Sequence, residues 1–406
     1  MDAKFSNVVV FSDSQKKQES NHWIYHALAG ECFANKIYLS SIDNNTICII
    51  DKNTGNMEIQ YCDVTKLLYE ECLYVRSVLC GTYIFFVSNR TQSVIKFDIN
   101  TCQKDLICLN NADTKLFEPI IYKKDLYLLP WDFSEQIVCI DTESNCVSYK
   151  FHPINYKILL NKGIQKREII LGNAVIVNDC IYRGSYQTSF VQRFHIESWS
   201  FEYISIKGFN RPIEWLTFDG KYFWILSFDG QLACWDEKEN EIIRKIDLET
   251  ETQKQGIRYA ACKHINGSIY ILAKNNSCIL EFKLKENMLL SFNCKEILDF
   301  ETKRQNDQAF SEEIRVDPEG TVYFFPFQSN GVIAKKIDNS IHFYKTQTAK
   351  RLNIRNMQQI QNESICTLSS FCNLLQKKDP QKTNTSYNGI EILKCVCEIW
   401  NKNTNC

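Results

Sequence analysis

An excess of charge of either sign is missing: 47 Lys and Arg stand against 48 Asp and Glu in 406 residues, a net charge of -1. No global field draws such a chain to nucleic acid or to an anionic membrane surface, so neither is expected as a partner. Long apolar runs are missing as well. None approaches the roughly 20 residues of a membrane span, and the run Val8 to Phe11 near the start falls far short of a secretory core. Local catalytic signatures are absent: there is no G-x-S-x-G elbow, no G-x-x-x-x-G-K-[ST] phosphate loop and no G-x-G-x-x-G. Cysteine, by contrast, is plentiful at 19 residues. Without a signal segment, that count points to free thiols in a reducing, cytoplasmic setting rather than to a disulfide scaffold. Cys48, Cys139, Cys234 and Cys278 sit inside apolar strand runs, where a thiol acts as a small hydrophobe.

The most informative stretch is Phe218 to Asp236, FDGKYFWILSFDGQLACWD. It reads as two strands, Tyr222 to Phe228 and Gln231 to Trp235, joined by Asp229-Gly230, a pair suited to the positive backbone dihedrals of a tight hairpin. Tyr222, Trp224, Leu226 and Phe228 fall on one face, Phe223 and Ile225 on the other. A sheet buried on both sides follows, which a lone hairpin cannot provide. The pattern recurs seven times, centred on Tyr38, Ile84, Tyr127, Tyr182, Trp224, Tyr270 and Tyr323, at spacings of 46, 43, 55, 42, 46 and 53 residues. Such a period is that of a four-stranded β-propeller blade.

Two positional regularities support the repeat. Five residues after each centre stands Asp43, Asn89, Asp132, Gln187, Asp229, Asn275 or Gln328, each with a side-chain acceptor that stabilises turns. The second run ends in Asp51, Asp98, Asp141, Asp236 and Asp338, with His195 and Lys283 in the two remaining repeats. The innermost strand of each unit lies upstream of the centre, as at Leu73 to Leu79, Pro119 to Tyr122, Ile169 to Val177, Ile213 to Phe218, Ile257 to Cys262 and Ile314 to Val316. The fold class is therefore all-β, a seven-bladed propeller over residues 21–348, with a six-bladed ring as the alternative. Residues 1–20 hold a strand, Asn7 to Phe11, that can close the ring beside Ile341 to Tyr344. Residues 349–406 break the period. The apolar spacing from Leu352 to Leu375 and the segment Ile390 to Trp400 predict a helical C-terminal extension.

The blade pattern resembles the broad WD-repeat, kelch and quinoprotein-like group. CIIDKNTGNMEI, residues 48–59, is similar to the strand, Asp, turn and Thr-Gly of quinoprotein-like and lactonase-like repeats. The Gly-His half of a WD repeat and the kelch double glycine are both absent, so the resemblance implies a fold and no particular chemistry. In such rings, the loops entering the innermost strands and those joining the second strand to the third share the face where ligands sit. The matching positions are Arg76, Glu118, Arg167, Glu168, Arg211, Glu214, Trp215, Arg258 and Tyr259, with Arg90, Trp131 and Asp132 from the second set of loops. Arg and Trp are frequent binding anchors; the bland alternative is ordinary solvated loop charge around one core tryptophan.

Arg183 stands apart, because the other six repeats have Leu39, Phe85, Leu128, Ile225, Ile271 and Phe324 at its position. A buried guanidinium needs a carboxylate or several carbonyls, and a structural pairing between blades is favoured over an anion site in the channel. His22 and His26 lack the glutamate of an HExxH motif, and Cys395 and Cys397 with Cys366, Cys372 and Cys406 lack paired C-x-x-C knuckles, so neither metal nor cofactor is expected. The reading reached is a binding module or scaffold for a protein or peptide, with oligomeric state open. The alternative is a propeller enzyme, a hydrolase, lyase or lactonase, using an acidic pair such as Glu118 with Glu214.

Overall fold

The computed structural model describes residues 23–24, 27–41, 46–61, 74–88, 93–109, 117–131, 136–151, 171–186, 188–249, 258–274, 278–294, 310–326, 331–345 and 347–348. The chain divides into two units, Met1–Asp63 with Glu71–Ala349, and Val64–Glu70 with Lys350–Cys406. Every described residue belongs to the first. The expected closing strand at Asn7 to Phe11, the helices of residues 349–406, the histidine pair and the C-terminal cysteines all lie outside the described residues.

Seven antiparallel sheets of four strands, each built from consecutive strands, form the blades of a ring. The innermost strands are Ala27–Phe33, Tyr74–Cys80, Phe117–Tyr122, Leu171–Val177, Ile213–Phe218, Tyr259–Ile265 and Phe310–Val316, numbered here as blades 1 to 7. Each repeat centre lies in the second strand of its blade, such as Phe223–Ser227 in blade 5. That blade shows why its strands are apolar on both faces. Trp224, Leu226, Leu232 and Cys234 pack with blade 6 through Ile269, Ile271 and Phe282. On the other side, Phe223, Ile225, Ala233 and Trp235 pack with Tyr182 and Val191 of blade 4. Each leucine, isoleucine or phenylalanine among them contributes roughly 1.5–3 kcal/mol on full burial.

Hairpin details differ from the sequence reading in three places. Only Gly230 of the Asp229-Gly230 pair takes a positive φ, at 84°, because the turn spans Ser227 to Gly230, closed by the Gly230 amide on the Ser227 carbonyl at 3.1 Å. That longer turn carries Phe228 out of the sheet, and it is 46% exposed rather than buried. Asp338 does not end a strand: blade 7's third strand is Gly331–Lys335, and Asp338 caps the following turn through the Ser340 amide at 2.9 Å. The other aspartates close their strands as expected. Asp51, for example, accepts from the Asn53 and Thr54 amides, both at 2.9 Å. The residue four positions after the strand end adopts a positive φ at Gly55, Cys102, Asn145, Trp199, Asn240 and Asn287.

The innermost strand of a blade leaves one backbone edge facing the channel, and neighbouring side chains fill it. Asn173 of blade 4 bonds both the amide and the carbonyl of Leu216 in blade 5, at 2.9 and 2.7 Å. Thr217 accepts from the His264 amide of blade 6 at 2.9 Å, and Lys263 donates to the Ile314 carbonyl of blade 7 at 3.0 Å. Glu313 joins blade 7 to blades 1 and 2, accepting from the Gly30 amide at 2.9 Å and the Ser77 amide at 2.9 Å. A two-residue ladder, Trp23 with Thr348 and Ile24 with Gln347, pairs the segments flanking the ring.

Candidate functional site

In six of the seven blades the pairing of the first two strands shifts near the start of the innermost strand. A bulge inserts an extra residue and re-aims side chains. The residues between the shifted pairs include Glu214 in blade 5 and Ser311, Glu312 and Glu313 in blade 7. These bulges put carboxylates at the channel mouth, where regular pairing of an apolar strand would place core residues.

Three expected residues come together there. Arg76 of blade 2 donates through Nε to Glu118 of blade 3 at 3.2 Å, and its guanidinium lies 4.6 Å from the centroid of the Trp131 ring. Its Nη2 reaches Glu312 of blade 7, so one arginine holds carboxylates from both directions around the ring. Tyr186 of blade 4 stands in the same field. Burial pushes its phenol well up, Glu312, Glu214 and Glu118 add to the rise, and Arg76 opposes it.

Glu214 is the most unusual group. Its residue is 6% exposed, and its Oε2 has no hydrogen-bond partner. Burial pushes the carboxyl up to about 8, against Lys274 and Arg258 and with help from Glu312. The group is therefore a neutral acid at pH 7, able to donate as well as accept. The charges that act on it are those of Lys274, Glu312 and Arg258; Glu118, with which the sequence reading paired it, is held instead by Arg76. Buried atoms without a partner also include Nε1 of Trp131, Nε1 of Trp215 and the Tyr259 hydroxyl.

The remaining expected residues lie apart or do other work. Arg211 pairs with Asp229 at the surface. Trp215 is packed in the apolar layer between blades 5 and 6. Arg258 is exposed and lies 5.4 Å from the Phe228 ring centroid. Arg183, only 2% exposed, donates to the Gly172 carbonyl at 3.2 Å and to the Pro130 carbonyl of blade 3 at 2.6 Å, which is the pairing between blades. Asp132, Arg90, Arg167 and Glu168 lie outside the described residues.

Sequence reading missed Glu312, Glu313, Arg315, Lys263 and Tyr186. Arg315 bonds Glu31 at 2.7 Å and the Ser77 carbonyl at 2.7 Å. Burial pulls the Lys263 ammonium down to about 8, with Arg315 adding to the fall and Glu31, Glu313 and Glu118 opposing it. The signal was present: SEEIR, residues 311–315, places three charges in a strand, the same anomaly that singled out Arg183.

Fold and channel define this chain as a seven-bladed β-propeller with a charged mouth holding unfilled hydrogen-bonding groups. Its sequence matches no protein-family model and no curated protein. Among solved structures it is similar to a streptogramin B lyase, at 11% identity and a TM-score of 0.57 over 79% of this chain and 93% of that one. Similar too are virginiamycin B lyase from Staphylococcus aureus, at 12% and 0.55 over 75% and 94%, and the WD40 repeats of RRP9, at 10% and 0.52 over 76% and 90%. At such identities the likeness is one of fold alone. No group of three or more His, Cys, Asp or Glu side chains placed to hold a metal occurs among the described residues.

Proposed function

We propose that this propeller is a cytoplasmic binding module or scaffold whose protein or peptide partner docks at the channel mouth. The observation that carries this reading is a pair of buried, unpartnered atoms beside the Arg76 cluster, Trp131 Nε1 and Glu214 Oε2. A buried polar group without a partner costs roughly 1–3 kcal/mol. A ligand that supplies both donors and acceptors, as a peptide backbone does, relieves that cost on binding. Exposed Arg258 against Phe228 adds a cationic and aromatic rim of the kind that anchors partners.

Selection of displayed peptides on the intact protein, followed by calorimetry, tests the reading. Peptides that compete with one another should bind Glu214→Leu and Trp131→Ala at least about tenfold more weakly, whereas Arg211→Ala, out at the surface, should change little. Equal affinity for wild type and both mouth variants would refute it.

A second reading, an enzyme acting on a small molecule, sugar or peptide, is favoured by Glu214 itself. A buried carboxylic acid titrating near 8 is matched to general-acid work at neutral pH. Turnover that disappears in Glu214→Gln and declines in wild type as pH passes about 8 would support this over simple binding.

A further inference from the structure

At the opposite end of blade 4, where the first and third turns lie, the sequence carries His195 in place of the aspartate found in most repeats. The imidazole faces Cys180 across the ladder. Cys180 Sγ is 3.1 Å from His195 Nδ1, and His195 Nε2 is 2.8 Å from Glu202 Oε1 on the fourth strand. Arg193 also holds Glu202, and that bond, ahead of the one from His195, keeps the carboxyl below its usual range and therefore ionised. An ionised carboxylate only accepts, so the ring proton sits on Nε2, and the Nδ1 lone pair faces the thiol. Equivalent pairs in other blades are Lys36 with Asp51, Tyr83 with Asp98, Asp125 with Asp141 and Ser268 with Lys283, none of which joins a nucleophile to a base.

We propose that Cys180, His195 and Glu202 form a reactive-thiol site that takes small disulfides by thiol–disulfide exchange. The order of nucleophile, base and orienting carboxylate is that of an activated thiol. Burial raises the Cys180 thiol, Arg193 opposes this, and Glu237, Asp179 and Glu202 add to the rise, so the resting group is protonated and needs the base. In the step itself, the Sγ proton passes to His195 Nδ1 as sulfur attacks one sulfur of the incoming disulfide. The S–S bond breaks, a mixed disulfide forms on Cys180, and the departing thiolate takes the proton back from His195. Glu202 stabilises the imidazolium in between. No further oxidant or reductant is consumed.

The intact protein is mixed with oxidised glutathione at pH 7, and modification of each cysteine is followed by peptide mass mapping. Cys108 and Cys146 are free and exposed, whereas Cys180 is half-buried, so exposure alone makes Cys180 the slowest of the three. The expected result is that Cys180 reacts first, that His195→Gln slows it about tenfold or more, and that Cys108 and Cys146 keep their rates. Glu202→Gln, which leaves the imidazole in place but removes the charge that stabilises the imidazolium, should slow Cys180 by a smaller factor. The proposal is overturned if Cys180 reacts no faster than Cys108 and Cys146, or if both variants leave its rate unchanged.

Discussion

Replacing Glu214 with glutamine tests the electrostatics of the mouth without a ligand. A carboxyl that ordinarily titrates at 4.5 is pushed by burial to about 8 in the folded chain. Below 4.5 both folded and unfolded states hold the proton, and the stability linked to it is fully present. As pH rises past that value the unfolded chain releases its proton while the folded one retains it, so folding loses up to about 1.4 kcal/mol per pH unit. The loss levels off once pH passes about 8, where the folded carboxyl ionises too. Glutamine has the same shape and no such linkage. Urea unfolding of wild type and Glu214→Gln at intervals from pH 5 to about 9 singles out this carboxyl and its coupled neighbours, since the titrations of groups that do not interact with it cancel in the difference. The variant should gain on wild type steadily across the window, by a total on the order of a few kcal/mol. A difference that stays constant with pH would refute the assignment of Glu214 as a neutral buried acid, and with it the enzyme reading.

Two further substitutions probe the ring. Glu313→Ala removes the acceptor for the Gly30 and Ser77 amides and a partner of Arg315 at 3.0 Å; a loss of about 3–5 kcal/mol in urea unfolding is expected, and a loss below about 1 kcal/mol would show that the joint does not depend on it. Gly184→Ala sets a methyl against Ile213 Cγ2 and 3.1 Å from the Ile213 carbonyl of the next blade. Overpacking there should cost about 1–3 kcal/mol, read as a lowered thermal midpoint, and an unchanged midpoint would mean that blades 4 and 5 separate freely.

Architecture was legible because seven copies of one pattern fix it. A strand between two neighbours must be apolar on both faces, and Trp224 and Trp235 announce this without any need to know what lies beside them. Phe228 shows the limit of that logic. Alternation placed it in the sheet, but the turn begins one residue earlier, at Ser227, and periodicity carries no information about where a ladder stops. The mouth was legible in part for a related reason. Arg76, Glu118 and Trp131 follow from topology alone, since the start of each innermost strand and the end of each second strand must share a face. Glu312 does not follow, because the bulge in blade 7 changes which residues face the channel, and a register shift is a property of the pairing rather than of either strand. Glu214 was named for its place, yet its neutrality comes from burial, with Glu312 of blade 7 adding to it against Lys274 and Arg258 of blade 6, a sum that no local stretch of sequence contains. Arg183 was resolved by its partners, which are carbonyls and so leave no trace in side-chain identity.

The filling of the inner backbone edge by side chains has a mechanical consequence. Because each blade is complete in itself among the described strands, neighbouring blades are joined at the axis by replaceable contacts, such as Asn173 with Leu216 and Lys263 with Ile314, rather than by shared sheet. A substitution such as Glu313→Ala can therefore loosen one joint at the axis while leaving every ladder intact.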